Sequence, residues 1–378
     1  MPYKPSQDVA LDLDTALGER YYEGSQASEE KYINEIVESI ADAIDLHFKQ
    51  GQGQHPARRD AHAYDNGCVH ATFKVDTDLP DHLRQGVFVP GAQYKAWIRF
   101  SNGNSEPRPA WFFDARGMAI KLTGIPGGKI LDDEKYTQDF ILISHPQFFV
   151  DDLRRYKALL VEFLKGGYVD QYVWSLLKLR FPSEFWLALK ANLNFMMNPL
   201  FQQYWSMTPY RLGADPDKQF AVKYTAKPQP HTMPGFLTRH LTRLRPNFSL
   251  KDEMNKTLAG NEVWFDFYVQ RYVDEQHTPI EDSKVEWTED VAKPERVGRI
   301  TIPIQDCMSP EQAVFCENLS FSPWHTLPEH RPLGLVNRVR KIAYRKISEL
   351  RHELNHAPRQ EPTGDEVFDG RASSAKSS

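Results

Sequence analysis

The sequence predicts an α+β protein built on an antiparallel β-barrel of about eight strands, with helical insertions and a closing helix. Three observations carry this expectation. Segments of period-two alternation recur at hairpin spacing along most of the chain. A block of helical character interrupts them at about 151–197. The stretch "LVNRVRKIAYRKISELRHEL" (335–354) then returns to helical periodicity.

The elements follow in order. Residues 1–20 look poorly ordered. "SEEKYINEIVESIADAIDLHFK" (28–49) puts Ile33, Ile36, Val37, Ile40 and Ile44 on one face and reads as an amphipathic helix. "GQGQHPAR" breaks that pattern. Strands are expected at Val69–Val75, Tyr94–Ser101, Gly117–Thr123 and Asp139–Ser144, then at Gln219–Ala226, Glu262–Val273 and Val297–Ile304. "GIPGGK" (124–129) reads as a hairpin turn, because Thr123 and Ile130 stand where a phosphate loop needs Gly and Ser/Thr. The last helix spans about 334–354. The tail "APRQEPTGDEVFDGRASSAKSS" is rich in Pro, Gly, Ser and charge and reads as disordered. The organisation is therefore an arm and amphipathic helix (1–50), one main domain (51–355) and a disordered tail (356–378).

Composition narrows the function. The chain has 378 residues, 40% hydrophobic and 12% aromatic, enough for a sizeable core. Its net charge of −5 gives no electrostatic case for nucleic acid or an anionic membrane. The first residues lack the basic-then-apolar order of a secretory signal, and no run approaches the roughly 20 apolar residues that span a bilayer. Cys68, Cys307 and Cys316 are too few and too scattered for a disulfide framework or a zinc site. A cytoplasmic location is the default.

Three places hold residues suited to chemistry. Arg59 stands three residues before His62, just ahead of a strand. In "YKAWIRFSNG" (94–103), Ala96, Ile98 and Phe100 face one way and Trp97, Arg99 and Ser101 the other, so Arg99 and Ser101 mark an interior polar site or simply the wet side. On the last helix Arg340, Tyr344 and Arg351 fall within about 40° of one another around the axis. A solvated face, with the phenol packed on arginine stems, is the plain alternative there.

Taken in order, these pieces resemble the haem catalases, and more closely the small catalase-related peroxidases (mini-catalases) and the catalase-related allene oxide synthases. Arg59-x-x-His62-Ala63 is similar to the segment that carries the family's distal histidine. "WIRFSNG", "FFDARGMAIKL" and "TQDFILISHPQFF" follow in the order of the next three catalase strands. "CENLSFSPWHTLPEHRPLG" resembles the segment leading to the proximal helix, and Arg340-x-x-x-Tyr344 stands where that helix carries Arg-x-x-x-Tyr. The likeness covers about 50–350 and is weakest over 165–260.

The resemblance implies haem b as cofactor, with Tyr344 as phenolate ligand of the iron. A phenol titrates near pH 10, so ligation near neutrality needs a fixed cation, and Arg340 is placed to supply it. His62 would be the distal acid–base held by Ser101. Arg59, Arg99 and Arg351 would bind haem propionates, and Phe149 would stack on the porphyrin. The implied reaction is decomposition of hydrogen peroxide or of organic and fatty-acid hydroperoxides, with a small organic reductant as partner. The alternatives are a fatty-acid hydroperoxide isomerase or lyase of the allene oxide synthase type, and a non-catalytic haem carrier or sensor. A homo-oligomer is compatible with all of them.

Two departures matter. Catalases place an asparagine near the peroxide, just before the fourth strand. Here that region reads "DDEKYTQDF", where Thr137 and Gln138 are the nearest substitutes. Ala61 stands where typical catalases have valine. The chain shows neither the long N-terminal arm nor the C-terminal flavodoxin-like domain of large catalases, so a wider route to the haem is expected.

Overall fold

The computed structural model describes residues 12–51, 56–59, 62–103, 114–164, 175–176, 178–192, 196–230 and 248–368. Nine strands are described: β1 (Asp65–Val75), β2 (Gln93–Asn102), β3 (Arg116–Leu122), β4 (Gln138–Ile143), β5 (Tyr204–Trp205), β6 (Tyr210–Leu212), β7 (Phe220–Pro228), β8 (Val263–Arg271) and β9 (Glu295–Ile302). All pairings are antiparallel, in the order β5-β4-β3-β2-β1-β9-β8-β7, and β5 pairs with β7 to close an eight-stranded barrel. β6 lies outside this ring, paired with β7. The six described α-helices are α1 (Gln26–Gln50), α2 (Leu153–Leu164), α3 (Pro182–Asn192), α4 (Leu250–Leu258), α5 (Pro310–Asn318) and α6 (Leu335–Leu354).

Alternation on each strand sorts two environments. The inward residues, among them Phe73, Ile98, Phe100, Phe140, Tyr224 and Phe267, fill the barrel with aromatic and branched side chains. The barrel interior is thus a packed core rather than a ligand cavity. Trp97, Arg99 and Ser101 lie on the opposite face, which here is the outside of the barrel, yet they are not wet. Arg99 is only 3% exposed and Ser101 only 4%. The reason is a layer of helices over this side. The apolar stripe of α1 (Ile33, Ile36, Val37, Ile40, Ile44) packs with Leu153 and Leu160 of α2 and with Leu335, Val339 and Ala343 of α6. Ser25 caps α1, its hydroxyl accepting from the Ser28 amide at 3.3 Å.

Three expectations need correction. The stretch 12–24 is ordered, because Glu19 accepts from the Gly334 amide at 2.8 Å and pairs with Arg331 and Arg338. The tail is extended but anchored as far as 368. Glu366 accepts from the Trp97 indole at 2.8 Å, Gly364 O meets His70 at 3.0 Å, and Arg359 pairs with Asp133 at 2.7 Å. Cys68 on β1 and Cys316 on α5 form a disulfide, since α5 packs beside β1 although 248 residues separate the two. Within the expected helical block at 151–197, α2 and α3 are described, with part of the block outside the described residues. No described helix is long and apolar enough to cross a membrane.

Candidate active site

The cavity of interest, about 260 Å³, lies between the outer face of β2–β4 and the helices α1, α2 and α6. His62, Ser101, Gly117, Arg340 and Tyr344 all line it. His62 precedes β1 in a left-handed conformation (φ 58°), fixed by its amide donating to Gly103 O at 3.3 Å and its carbonyl accepting from Arg99 Nη1 at 2.9 Å. That backbone turn aims the imidazole at Ser101, with Nδ1 to Oγ at 3.1 Å. Gly117 on β3 makes the pair possible. A Cβ there would stand 2.6 Å from Ser101 Oγ and 2.8 Å from His62 Nδ1. Burial first, then the nearby charges of Arg99, Arg340, Arg116 and Arg59, push the His62 imidazole down to about 3. Near neutral pH the ring therefore carries no charge.

Facing it, α6 presents Arg340 and Tyr344 one turn apart, with Arg340 Nη2 donating to the Tyr344 hydroxyl at 3.2 Å. Nη1 of the same guanidinium reaches Asn337 Oδ1 at 3.2 Å and Thr208 Oγ1 at 3.4 Å. Asn337 is itself locked, donating to Pro209 O and Leu333 O at 2.9 Å each. Thr208 is delivered by a tight turn in which its amide donates to Ser206 O at 2.7 Å around left-handed Met207 (φ 59°). No carboxylate pairs with Arg340 among the described residues. Burial works against its charge, but Tyr344 and Tyr210 raise it on balance.

At a third edge, Arg59, Arg99 and Arg351 converge on one carboxylate, Glu317 at the end of α5. The separations are 3.0 Å, 3.8 Å and 2.8 Å. Burial opposes the charge on Glu317, but Arg59, Arg351 and Arg99 outweigh it and hold the carboxyl below its usual range. Burial and Arg59 pull Arg99 down to about 9, and they do the same to Arg351. Three cations share one anion, and Arg99 Nε has no partner. Such a cluster is suited to further carboxylates.

The structure therefore brings together His62, Ser101, Arg59, Arg99, Arg340, Tyr344 and Arg351. It does not bring Thr137, Gln138 or Phe149 to the cavity. In the β3–β4 hairpin Gly117 faces Ile143, whereas Gln138 faces Leu122 at the opposite end. Gln138 donates to Thr326 Oγ1 at 2.7 Å and accepts from the Leu327 amide, and Thr137 donates to Glu134. Phe148, not Phe149, lines the cavity, while Phe149 packs in a satellite cluster with Leu159 and Phe185. Ala61 lies outside the described residues. Gly117, Glu317, Thr208 and Asn337 were not singled out as site residues from the sequence. Gly117, Glu317 and Asn337 lie within quoted segments, and Thr208 carried no signal.

Glu134, Asp139 and His325 form a buried triad with donor atoms within 4.8 Å of one another. Lys121 Nζ sits among them, 2.8 Å from Asp139 and bonded to Glu134, so an ammonium already supplies the cation.

No family model and no characterised protein sequence matches the chain. Solved structures do. A fungal catalase superposes with a TM-score of 0.65 at 17% identity, over 85% of this chain and 65% of that one. Catalase A from Saccharomyces cerevisiae gives 0.66 at 16% identity, over 85% and 67%. A bacterial catalase gives 0.61 at 14% identity, over 86% and 66%. The chain has the catalase fold and spans about two thirds of the length of these catalases.

Proposed function

We propose that this protein is a haem-dependent enzyme that decomposes hydroperoxides, accepting organic hydroperoxides as well as hydrogen peroxide. One observation carries the reading: the His62–Ser101 pair faces Arg340–Tyr344 across a cavity whose edge holds three arginines around one carboxylate. The residues suit haem b. Tyr344 offers an oxygen ligand whose anion Arg340 stabilises, and Arg59, Arg99 and Arg351 have unspent positive charge for two propionates. Bound there, haem b would supply the redox-active iron that accepts the oxidising equivalents of the peroxide.

The chain's own residues handle the proton. Neutral His62 takes it from one peroxide oxygen and returns it to the departing oxygen, which leaves as water or an alcohol. Ser101 holds the ring in orientation, and Gly117 leaves room for both. A second peroxide or a small organic reductant completes the cycle. The retained acid–base pair argues against a haem carrier or sensor, which needs no proton transfer.

A related reading, isomerisation or cleavage of a fatty-acid hydroperoxide as in allene oxide synthases, draws support from the apolar wall of Ile40, Leu153, Val339 and Ile347. The test is the absorption spectrum of the haemin-loaded protein before and after stoichiometric hydrogen peroxide and an alkyl hydroperoxide. A tyrosinate high-spin ferric spectrum that changes on peroxide addition is expected. Failure to bind haemin would end the proposal. Product analysis with a fatty-acid hydroperoxide separates the two readings, an alcohol marking reduction and an epoxide or aldehyde marking isomerisation or cleavage.

A further inference from the structure

The disulfide lies against the arginine cluster from both sides. Cys68 is the direct cross-strand neighbour of Arg99 in the β1–β2 ladder, so the two side chains share the outer face of the barrel. Cys316 is the chain neighbour of Glu317, the carboxylate that Arg59, Arg99 and Arg351 share. The covalent link thus joins β1, the strand paired beside the one that carries Arg99, to the helix end that carries the anion. To β1 itself the described bond is Gln312 Nε2 donating to Cys68 O at 2.6 Å, beside the apolar packing of Cys316 with Trp97 and Leu319. Arg59 and Arg351 also hold the helix end, donating to the Glu317 carbonyl at 3.3 Å and 2.7 Å.

The link is also covered. The C-terminal strap lays Phe368 against Trp97 and Phe315, and Glu366 accepts a hydrogen bond from the Trp97 indole N–H. Both sulfurs are buried beneath it, Cys68 at 2% and Cys316 at 0% exposure. A reductant must therefore wait for the strap to lift.

We propose that Cys68–Cys316 is a redox-dependent clamp that positions Glu317 in the arginine cluster, so that retention of the carboxylate-bearing cofactor depends on the oxidation state of this pair. The inference rests on the haem reading above. The step balances simply. A dithiol reductant gives two electrons and two protons to the S–S bond, leaving two cysteine thiols and the oxidised cyclic disulfide of the reductant. The end of α5 is then released from β1, Glu317 gains freedom, and the arginines lose the fixed anion that spaces them. Cys316 acts through Glu317 and touches no reacting atom. It is a positioning residue.

The experiment compares the oxidised full-length protein with the same protein reduced by dithiothreitol, free thiols being counted by labelling. Two readouts are taken, haemin titration followed by absorption and amide hydrogen exchange over 314–320. Reduction should weaken haemin binding about 10–100-fold, the size typical of losing an outer support of a metal cofactor. Exchange at the end of α5 should rise about tenfold or more in both haem-free and haem-loaded protein. A Cys68→Ser/Cys316→Ser variant should sit permanently at the weak level and ignore dithiothreitol, whereas Cys307→Ser should keep the wild-type dependence. If the double variant does not fold, reduction of the wild type still decides.

Equal haemin affinity in both states, with both thiols shown to be free, would overturn the clamp. So would peptide mapping that finds Cys68 and Cys316 unbonded in the oxidised protein, or a redox dependence that disappears in Cys307→Ser. No haemin binding in either state, with the exchange change still present, would remove the haem reading and uphold the clamp alone.

Discussion

Arg340 donates to the Tyr344 hydroxyl at 3.2 Å from one turn earlier on α6, and it meets that hydroxyl as a buried cation with no carboxylate partner among the described residues. A buried guanidinium without a counter-anion is costly unless something nearby becomes negative. Its partner on one side is the Tyr344 hydroxyl. The other end of the guanidinium meets neutral groups, Thr208 from outside the helix and Asn337 from the preceding turn of α6, with Tyr210 close by. The spacing that looked odd in the sequence, a tyrosine in line with two arginines, is therefore a hydrogen-bonded Arg340–Tyr344 pair beside the Arg351 cluster, the arrangement on which the proposed ligand assignment rests.

Tyr344→Phe removes that oxygen while keeping the ring. The variant is expected to bind haemin poorly or with a displaced Soret band, and to lose peroxide turnover. Titration against wild type followed by absorption checks it, and an unaltered spectrum would discard the ligand assignment.

His62→Ala leaves Tyr344 and the arginine cluster intact, so haemin binding is expected to survive. The first reaction with peroxide should slow by about 10²–10⁴-fold, the usual loss for a missing general acid–base. Rapid mixing with hydrogen peroxide measures it. Equal rates would mean that another group moves the proton.

Gly117→Ala tests the same pair from its floor. The added methyl would lie within 2.8 Å of both Ser101 Oγ and His62 Nδ1, so one of them must move. Haemin binding should persist, and the peroxide step should fall by about 10²-fold because a small misplacement of a catalytic group has that effect. A wild-type rate would show that the imidazole needs no fixed orientation.

How much of this could be read from the sequence depended on range. The alternation in 94–101 was legible because Ala96, Ile98 and Phe100 fill the barrel and are uniformly apolar. The surroundings of Arg99 and Ser101 were not, since the helices that dry them come from distant parts of the chain. Tyr344 and Arg340 were legible as a local helical pair, and Thr208 was not, because its role depends on a left-handed turn at Met207 that no sequence rule favours. Counting residues toward the missing asparagine failed for a similar reason. Strand register, not linear position, decides what faces His62, and the register puts Ile143 there and Gln138 at the far end. The tail escaped because a few anchors, Arg359, Glu361 and Glu366, hold a segment of otherwise disordered composition.

Buried histidines set the acid limit. Burial is the main cause holding both His62 and His330 near 3 in the folded chain, against 6.5 when exposed. Below 6.5 the unfolded chain binds protons at these two residues that the native chain refuses, so their contribution to stability is full above that pH and falls progressively as pH drops toward 3. Thermal melts across this range should show Tm falling with pH. Restoring a steady Tm down to about pH 4 without refolding changes elsewhere would contradict neutral burial of the two rings.

Substrate preference follows from what borders His62. Fast dismutation of hydrogen peroxide asks for a second small peroxide to be held tightly, a task suited to an amide beside the imidazole. Thr137 and Gln138 are committed to Glu134 and Thr326 elsewhere, and among the described residues no Asn or Gln side chain lines the cavity. The wall near His62 is instead Ile141 and Ile143, continuing to Phe148 and Val150. A small peroxide finds little there to orient it, which forfeits part of the proximity advantage. An alkyl chain finds apolar surface to bury, at about 0.8 kcal/mol per methylene. Modest oxygen release from hydrogen peroxide is therefore expected alongside clear turnover of organic hydroperoxides, with KM falling as the alkyl chain lengthens. Steady-state rates on hydrogen peroxide, an alkyl hydroperoxide and a fatty-acid hydroperoxide measure this. Very fast oxygen release with no reaction on either organic substrate would show that the apolar wall is closed to them and that orientation is achieved without an amide.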